Sequence, residues 1–226
     1  MDEKHFKSSD QVRDFVIGMS DGLTVPFALA AGLSGAVDNP AIIITAGLAE
    51  IAAGSIAMGL GGYLAGRTEI EHYDTEEKRE YDEIENKHEI EIQETKDIFA
   101  QYGLNDSLQE TIAREMAKHP KEWVDFMMRF ELGLERPDKN RALQSAFIIA
   151  MSYIVGGLIP LSSYFFSATT FDGLKYSCLI TTICLIIFGL VKSKLTGQPL
   201  LKGALRVTII GALAAAAAFG IAKLIA

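Results

Sequence analysis

Residues 80–94 read EYDEIENKHEIEIQE. In this stretch Glu80, Glu83, Lys87, Glu91 and Glu94 follow one another at spacings of three, four, four and three. At 100° per residue those spacings place all five in one narrow stripe of a helix face. Like charges three and four apart repel by a few tenths of a kcal/mol per pair. Four carboxylates stacked in this way are therefore either a well-solvated face or a site for a cation, and charge runs by themselves more often mean solubility.

The surroundings bear on that choice. The stretch lies inside residues 67–141, a charged, helix-rich insert that carries about twenty of the 29 acidic residues in the 226-residue chain. The flanks are nearly free of charge, so a net charge of -8 coexists with 49% hydrophobic residues. Segregation of this kind describes a membrane protein carrying a soluble acidic module, with boundaries at 1–66, 67–141 and 142–226. The acidic balance argues against a nucleic-acid partner and suits cations. Cys178 and Cys184 are six residues apart in an apolar run, point to different sides of a helix, and cannot pair with each other. The polar N-terminus, MDEKHFKSSD, has no apolar signal region, so the first hydrophobic segment is expected to stay in the protein.

Five apolar segments are long enough to span a bilayer: residues 15–37, 41–66, 142–171, 176–191 and 207–222. The last two are short, and snorkelling of Lys175, Lys192, Arg206 and Lys223 extends their reach. Pro26, close behind Asp21, is expected to open the first span. The second span has no strong breaker after Gly66 and is expected to run on as one helix towards Glu94. Asp106 or Ser107 should cap a helix ending near His119-Pro120, and a further helix should run from Pro120 to about Leu134. The fold class is thus all-α, with five membrane helices and a helical module between the second and third. Basic residues near the span ends fall mostly on one side: Lys4, Lys7, Arg13, Arg67, Arg136, Lys139, Arg141, Lys192, Lys194, Lys202 and Arg206 against Lys175 and Lys223. That asymmetry predicts a cytosolic N-terminus and module and a C-terminus outside.

Two carboxylates lie within the spans, Asp21 in the first and Glu50 in the second. Ionised groups there cost a few kcal/mol or more and are functional candidates by default, although Asp21 could serve only a helix–helix hydrogen bond. Glu50 and Met58 share a helix face, and two helices joined by the short turn at Val37-Asp38-Asn39-Pro40 can bring Asp21, Glu50 and Met58 to one polar seam. Carboxylate oxygen with a polarizable thioether suits a borderline divalent transition metal better than Mg²⁺ or Ca²⁺. Glu50 could alternatively carry a proton, and Met58 could simply pack. In the module, Met127 and Glu131 project together four residues apart, with core packing beside Trp123 as the plainer role for Met127. Glu69-x-x-His72 and Glu85-x-x-His88 match the spacing of di-iron carboxylate bundles, but that site needs four long helices, and the insert has room for about three. No phosphate-binding Gly-rich loop and no supported Ser/His/Asp set occurs, so neither ATP hydrolysis nor enzymatic chemistry is indicated and transport would run on an ion gradient.

Three longer stretches then stand out together. Asp21-Gly-Leu-Thr-Val-Pro-Phe-Ala, Met58-Gly-Leu-Gly-Gly-Tyr-Leu-Ala and Asp125-Phe-Met-Met-Arg-Phe-Glu-Leu-Gly-Leu-Glu135, in that order, resemble the vacuolar iron transporter family. The resemblance implies a homodimer of five-helix subunits with a cytosolic metal-binding domain, exporting Fe²⁺, and often Mn²⁺, from the cytosol in exchange for protons. Co²⁺ and Zn²⁺ are further divalent substrates to be considered. The resemblance also assigns metal ligands to Glu80, Glu83, Glu91, Glu94, Met127 and Glu131, and a translocation path to Asp21, Glu50 and Met58. A membrane-anchored iron store and a di-iron oxidase are the rival readings. The short N-terminus suggests a prokaryotic plasma membrane over a vacuolar one.

Overall fold

The computed structural model describes residues 10–225; Lys4 and Lys7, used above for orientation, lie outside them. Among the described residues the chain forms eight α-helices and no strand: α1 (Asp10–Ala36), α2 (Pro40–Asn86), α3 (His88–Gln101), α4 (Asp106–Met116), α5 (Pro120–Phe130), α6 (Arg141–Phe165), α7 (Thr170–Leu195) and α8 (Leu200–Ile225). Five of them, α1, α2, α6, α7 and α8, are long and apolar enough to cross a membrane. The chain divides into two compact units, one made of Ala65–Arg141 and the other of the residues on either side.

In the apolar unit, small residues set the approach of the helices. A Cβ built on Gly18 would lie 2.3 Å from the Ile149 carbonyl oxygen, and one on Gly22 would lie 2.4 Å from that of Tyr153. The four-residue spacing of these glycines lets the α1 backbone rest directly on α6, as small-x-x-x-small faces do where lipid removes the hydrophobic drive for association. Leu23, Phe27, Ile51, Leu161, Tyr164 and Leu185 fill the interior. Large apolar side chains also face outward, among them Ile56, Phe147, Leu205 and Leu213, as expected where the surrounding solvent is hydrocarbon.

Several local expectations are corrected. Pro26 is buried inside α1 and does not break it; α6 packs closely against it, a Cβ on Gly157 lying 3.0 Å from the Pro26 ring. The last two spans are full 26-residue helices rather than short segments, each about 39 Å long at 1.5 Å per residue. Lys175, Lys192, Arg206 and Lys223 sit within these helices instead of ending them.

The unit Ala65–Arg141 has a core of its own, built from Tyr73, Ile84, Ile92, Ile98, Ala113, Trp123, Val124, Met127 and Met128. Asn105, not Asp106 or Ser107, caps α4, its side chain accepting from the Leu108 N–H at 3.0 Å. The helix begun at Pro120 stops at Phe130, with Glu131 as its cap, and Gly133 then turns the chain with φ 66°. The largest correction concerns residues 80–94. They do not form one helix. The chain bends at Lys87 (φ -129°, ψ 31°), where α2 ends and α3 begins.

Candidate metal centre and membrane path

The bend at Lys87 determines what the acidic stretch can do. On one continuous helix, Glu80 and Glu91 would stand about 16 Å apart along the axis. In the folded chain Glu80 on α2, Glu91 on α3 and Glu131 at the end of α5 each offer a carboxylate oxygen within 4.8 Å of the others. Glu80 and Glu91 are only 3% and 2% exposed, and the Oε2 atom of each is buried without a hydrogen-bond partner. Two like charges about 5 Å apart repel by about 3 kcal/mol at an effective dielectric of 20. Burying them together without compensation adds a desolvation cost. A solvated helix face would show none of this.

The electrostatics register the conflict. Burial, then the neighbouring charges of Glu131, Glu83 and Glu94, pushes the Glu80 carboxyl up to about 7. Glu91 is likewise raised to about 7, by burial first and then by Glu94, Glu80, Glu131 and Glu83. Glu131 is more exposed as a residue, yet its carboxyl is also raised, by desolvation and then by Glu94 and Glu83. Glu83 behaves differently. A hydrogen bond from Lys87 Nζ at 2.8 Å, with help from Arg79, holds its carboxyl below the usual range. Glu83 is thus already neutralised by cations on its own helix edge, whereas Glu80, Glu91 and Glu131 are not.

Met127 is fully buried against Trp123 and Val124, and its sulfur lies 3.4 Å from the Thr95 hydroxyl. That hydroxyl accepts from Trp123 Nε1 at 2.8 Å and also lies 2.8 Å from the Glu91 carbonyl oxygen. Thr95 therefore joins the methionine to the helix that carries Glu91, a role no sequence pattern disclosed. The histidines of the Glu-x-x-His pairs go elsewhere. His72 is exposed beside Glu76, and His88 packs edge-on against Trp123. Neither joins the carboxylate cluster found among the described residues.

Within the apolar unit, Glu50 on α2 is half-buried, and its Oε1 accepts a hydrogen bond from the Tyr153 hydroxyl of α6. Its Oε2 is buried and unpartnered. The phenol reaches Glu50 by crossing Gly54, one turn along α2, where an added Cβ would meet the Tyr153 oxygen at 2.5 Å. Met58 is half-buried two turns beyond Glu50; among the described residues no hydrogen bond ties it to either acid. Tyr153 went unnoticed in the sequence because a tyrosine in an apolar run reads as packing.

A family description, the VIT family, matches residues 12–223. This chain belongs to the VIT family. Its similarity to named VIT proteins is high along nearly its whole length. It is 51% identical over 222 residues to the vacuolar iron transporter 1 of Tulipa gesneriana, covering 98% of this chain and 90% of that one. It is 52% identical over 223 residues to vacuolar iron transporter 1 of Arabidopsis thaliana, covering 99% and 89%. Protein CCC1 of Saccharomyces cerevisiae is 39% identical over 232 residues, covering 97% of this chain and 71% of that protein. Most of these VIT relatives are named for the vacuole, which does not favour the prokaryotic plasma membrane suggested by the short N-terminus.

Proposed function

We propose that the chain is a membrane transporter, not an enzyme, whose substrate is iron as Fe²⁺, with Mn²⁺ a second candidate ion. The observation that carries this reading is the meeting of Glu80, Glu91 and Glu131, two of them buried with an unpartnered oxygen, in a chain whose relatives are named vacuolar iron transporters. A carboxylate trio with two buried, unneutralised members is a costly arrangement that a divalent cation relieves. Hard oxygen donors with a thioether in the adjoining core suit a borderline dication.

The acidic unit, on the cytosolic side, collects the ion through Glu80, Glu91 and Glu131, with Glu94 and Met127 as further ligands and Glu83 joining them on release from Lys87. Asp21, Glu50 and Met58 then carry it across the bilayer and away from the cytosol while protons move the other way. The N-terminus shares the cytosolic side, the C-terminus lies opposite, and two copies form the working unit. Asp21 and Glu50 favour carriage over storage, since a protein that merely held iron at a membrane surface would gain nothing from acids inside its spans. The di-iron oxidase reading lacks its histidines, which lie apart from the cluster.

Reconstitution of the full chain into liposomes tests the proposal. Fe²⁺ uptake is expected to rise when a proton gradient is imposed, and gradient-independent uptake removes the antiport. Asp21→Ala should abolish uptake while the purified protein still binds metal at the carboxylate cluster. Equal loss of both would contradict two separate sites.

A further inference from the structure

At the end of the apolar unit where α7 gives way to α8, a cavity of about 130 Å³ is lined by Lys192, Ser193, Thr196, Gln198, Lys202 and Arg206. Its construction is specific. Thr196 N–H closes on the Lys192 carbonyl at 3.0 Å and Gln198 N–H on that of Ser193 at 2.9 Å, with Gly197 turning the chain at φ 66°. The two helices are in close contact just inside the turn, where a Cβ on Gly189 would lie 2.5 Å from Ala204 Cα. Lys202 and Arg206 are four residues apart and share one face of α8, and Lys192 reaches the same cavity from α7. No carboxylate lines it, and among the described residues none of the three cations forms a salt bridge. Ser193 is 2% exposed and borders the cavity, yet no hydrogen bond of its hydroxyl is found among the described residues. Basic side chains at the end of a span commonly snorkel outward to water; three that converge on one polar hollow do something more.

We propose that this cavity binds the phosphate of an anionic phospholipid. The cations supply charge for the phosphate, and Ser193 and Gln198 supply hydrogen-bonding groups, the Thr196 hydroxyl being committed to the Lys192 carbonyl; such a donor set suits a phosphate ester. Basic pockets between membrane helices are a recurring way to hold anionic headgroups, each cation near the surface contributing about 1 kcal/mol. The adjoining face of α8 identifies the source of the phosphate. Leu201 and Leu205, each one residue before a cavity cation, are 82% and 61% exposed. A phosphate with acyl chains places its head among Lys192, Lys202 and Arg206 and its tails along those leucines, whereas a free phosphate leaves them uncovered.

Native mass spectrometry of the full chain in neutral detergent tests this, with phosphatidylglycerol or phosphatidylcholine added at equal mole fraction. Phosphatidylglycerol should be retained at least about fivefold more, the factor matching one such cation. Retention should fall by about fivefold or more in the triple variant Lys192→Gln, Lys202→Gln, Arg206→Gln, while Lys175→Gln with Lys223→Gln leaves it unchanged. Equal retention of the two lipids in the wild type, or undiminished retention in the triple variant, overturns the site. Complete displacement of phosphatidylglycerol by millimolar inorganic phosphate overturns the lipid assignment in favour of a soluble anion. Should the triple variant not purify, the wild-type lipid comparison and Lys202→Gln alone decide the matter.

Discussion

Glu80 and Glu91 face each other in a pocket that neither would occupy charged and alone, and their substitution has an unusual sign. Glu91→Gln keeps the shape and deletes one buried charge, so metal-free protein should melt at the same temperature or higher. Its affinity for Fe²⁺ or Mn²⁺ should fall at least about tenfold, equivalent to ~1.4 kcal/mol. Calorimetric titration and thermal melts of one preparation check both halves. The pH dependence follows from the same two groups. Their carboxyls sit at about 7 in the folded chain and near 4.5 when unfolded, so between those values the folded state holds protons that the unfolded state has lost. The penalty is absent below about 4.5 and complete above about 7, which makes metal-free stability decline as pH rises across that window. Metal binding should strengthen over the same range as protons leave. Thermal melts from pH 5 to 8, with and without Mn²⁺, should therefore show opposite slopes. Tyr153→Phe is the matching test in the spans. It removes the one hydrogen bond found on Glu50 Oε1 among the described residues, an interaction that typically contributes about 0.5–1.5 kcal/mol. Fe²⁺ uptake should fall several-fold with metal binding at the carboxylate cluster unchanged.

At the scale of the element, the apolar runs made the membrane helices readable, because uninterrupted hydrophobicity is a strong and local signal. Helix ends and bends were not readable in the same way. Pro26 was expected to open α1, yet the helix runs on through it where α6 packs closely at Gly22 and Gly157, a tertiary contact the sequence does not display. The stripe from Glu80 to Glu94 satisfied helical spacing so well that nothing local marked Lys87 as a bend. What lies there is a tertiary decision: turning the chain brings Ile84 and Ile92 into one core with Trp123. Spacing could therefore suggest which acids to consider, while only the fold shows that Glu80 and Glu91 meet Glu131 from three elements and that Glu83 is occupied by Lys87. Tyr153 and Thr95 were illegible because their importance lies in what they touch across helices. The glycine contacts give an element-scale test. Gly22→Ala puts a methyl group 2.4 Å from a backbone carbonyl of α6 and should destabilise the bundle by about 1–3 kcal/mol through overpacking. Gly220→Ala, with nothing within 4 Å, should not lower the melting temperature of the same detergent-purified protein.

For the whole molecule, Gly61 is informative, because a Cβ added there would meet nothing within 4 Å. Ala53, Ala57 and Gly61 recur every four residues on α2, and all three are exposed, with Glu50 one turn before them. Large side chains occupy the neighbouring outward positions, Ile56 and Leu60 being 71% and 55% exposed. A row of small residues beside bulky ones offers lipid little, whereas it lets a second helix approach closely. In the dimer proposed above, this row is expected to pack α2 of one copy along α2 of the other, close to the Glu50 that each α2 carries. Gly61→Leu separates this arrangement from a monomer whose α2 faces lipid. In a lipid-facing helix the added leucine is harmless, and the protein should keep both its assembly state and its uptake. In the dimer it fills the contact, so size-exclusion chromatography with light scattering should show the mass of the protein component halved. Fe²⁺ uptake in liposomes should drop alongside, while metal binding at Glu80, Glu91 and Glu131 remains, because those ligands belong to a single chain. A variant that stays dimeric and active would remove α2 from the interface.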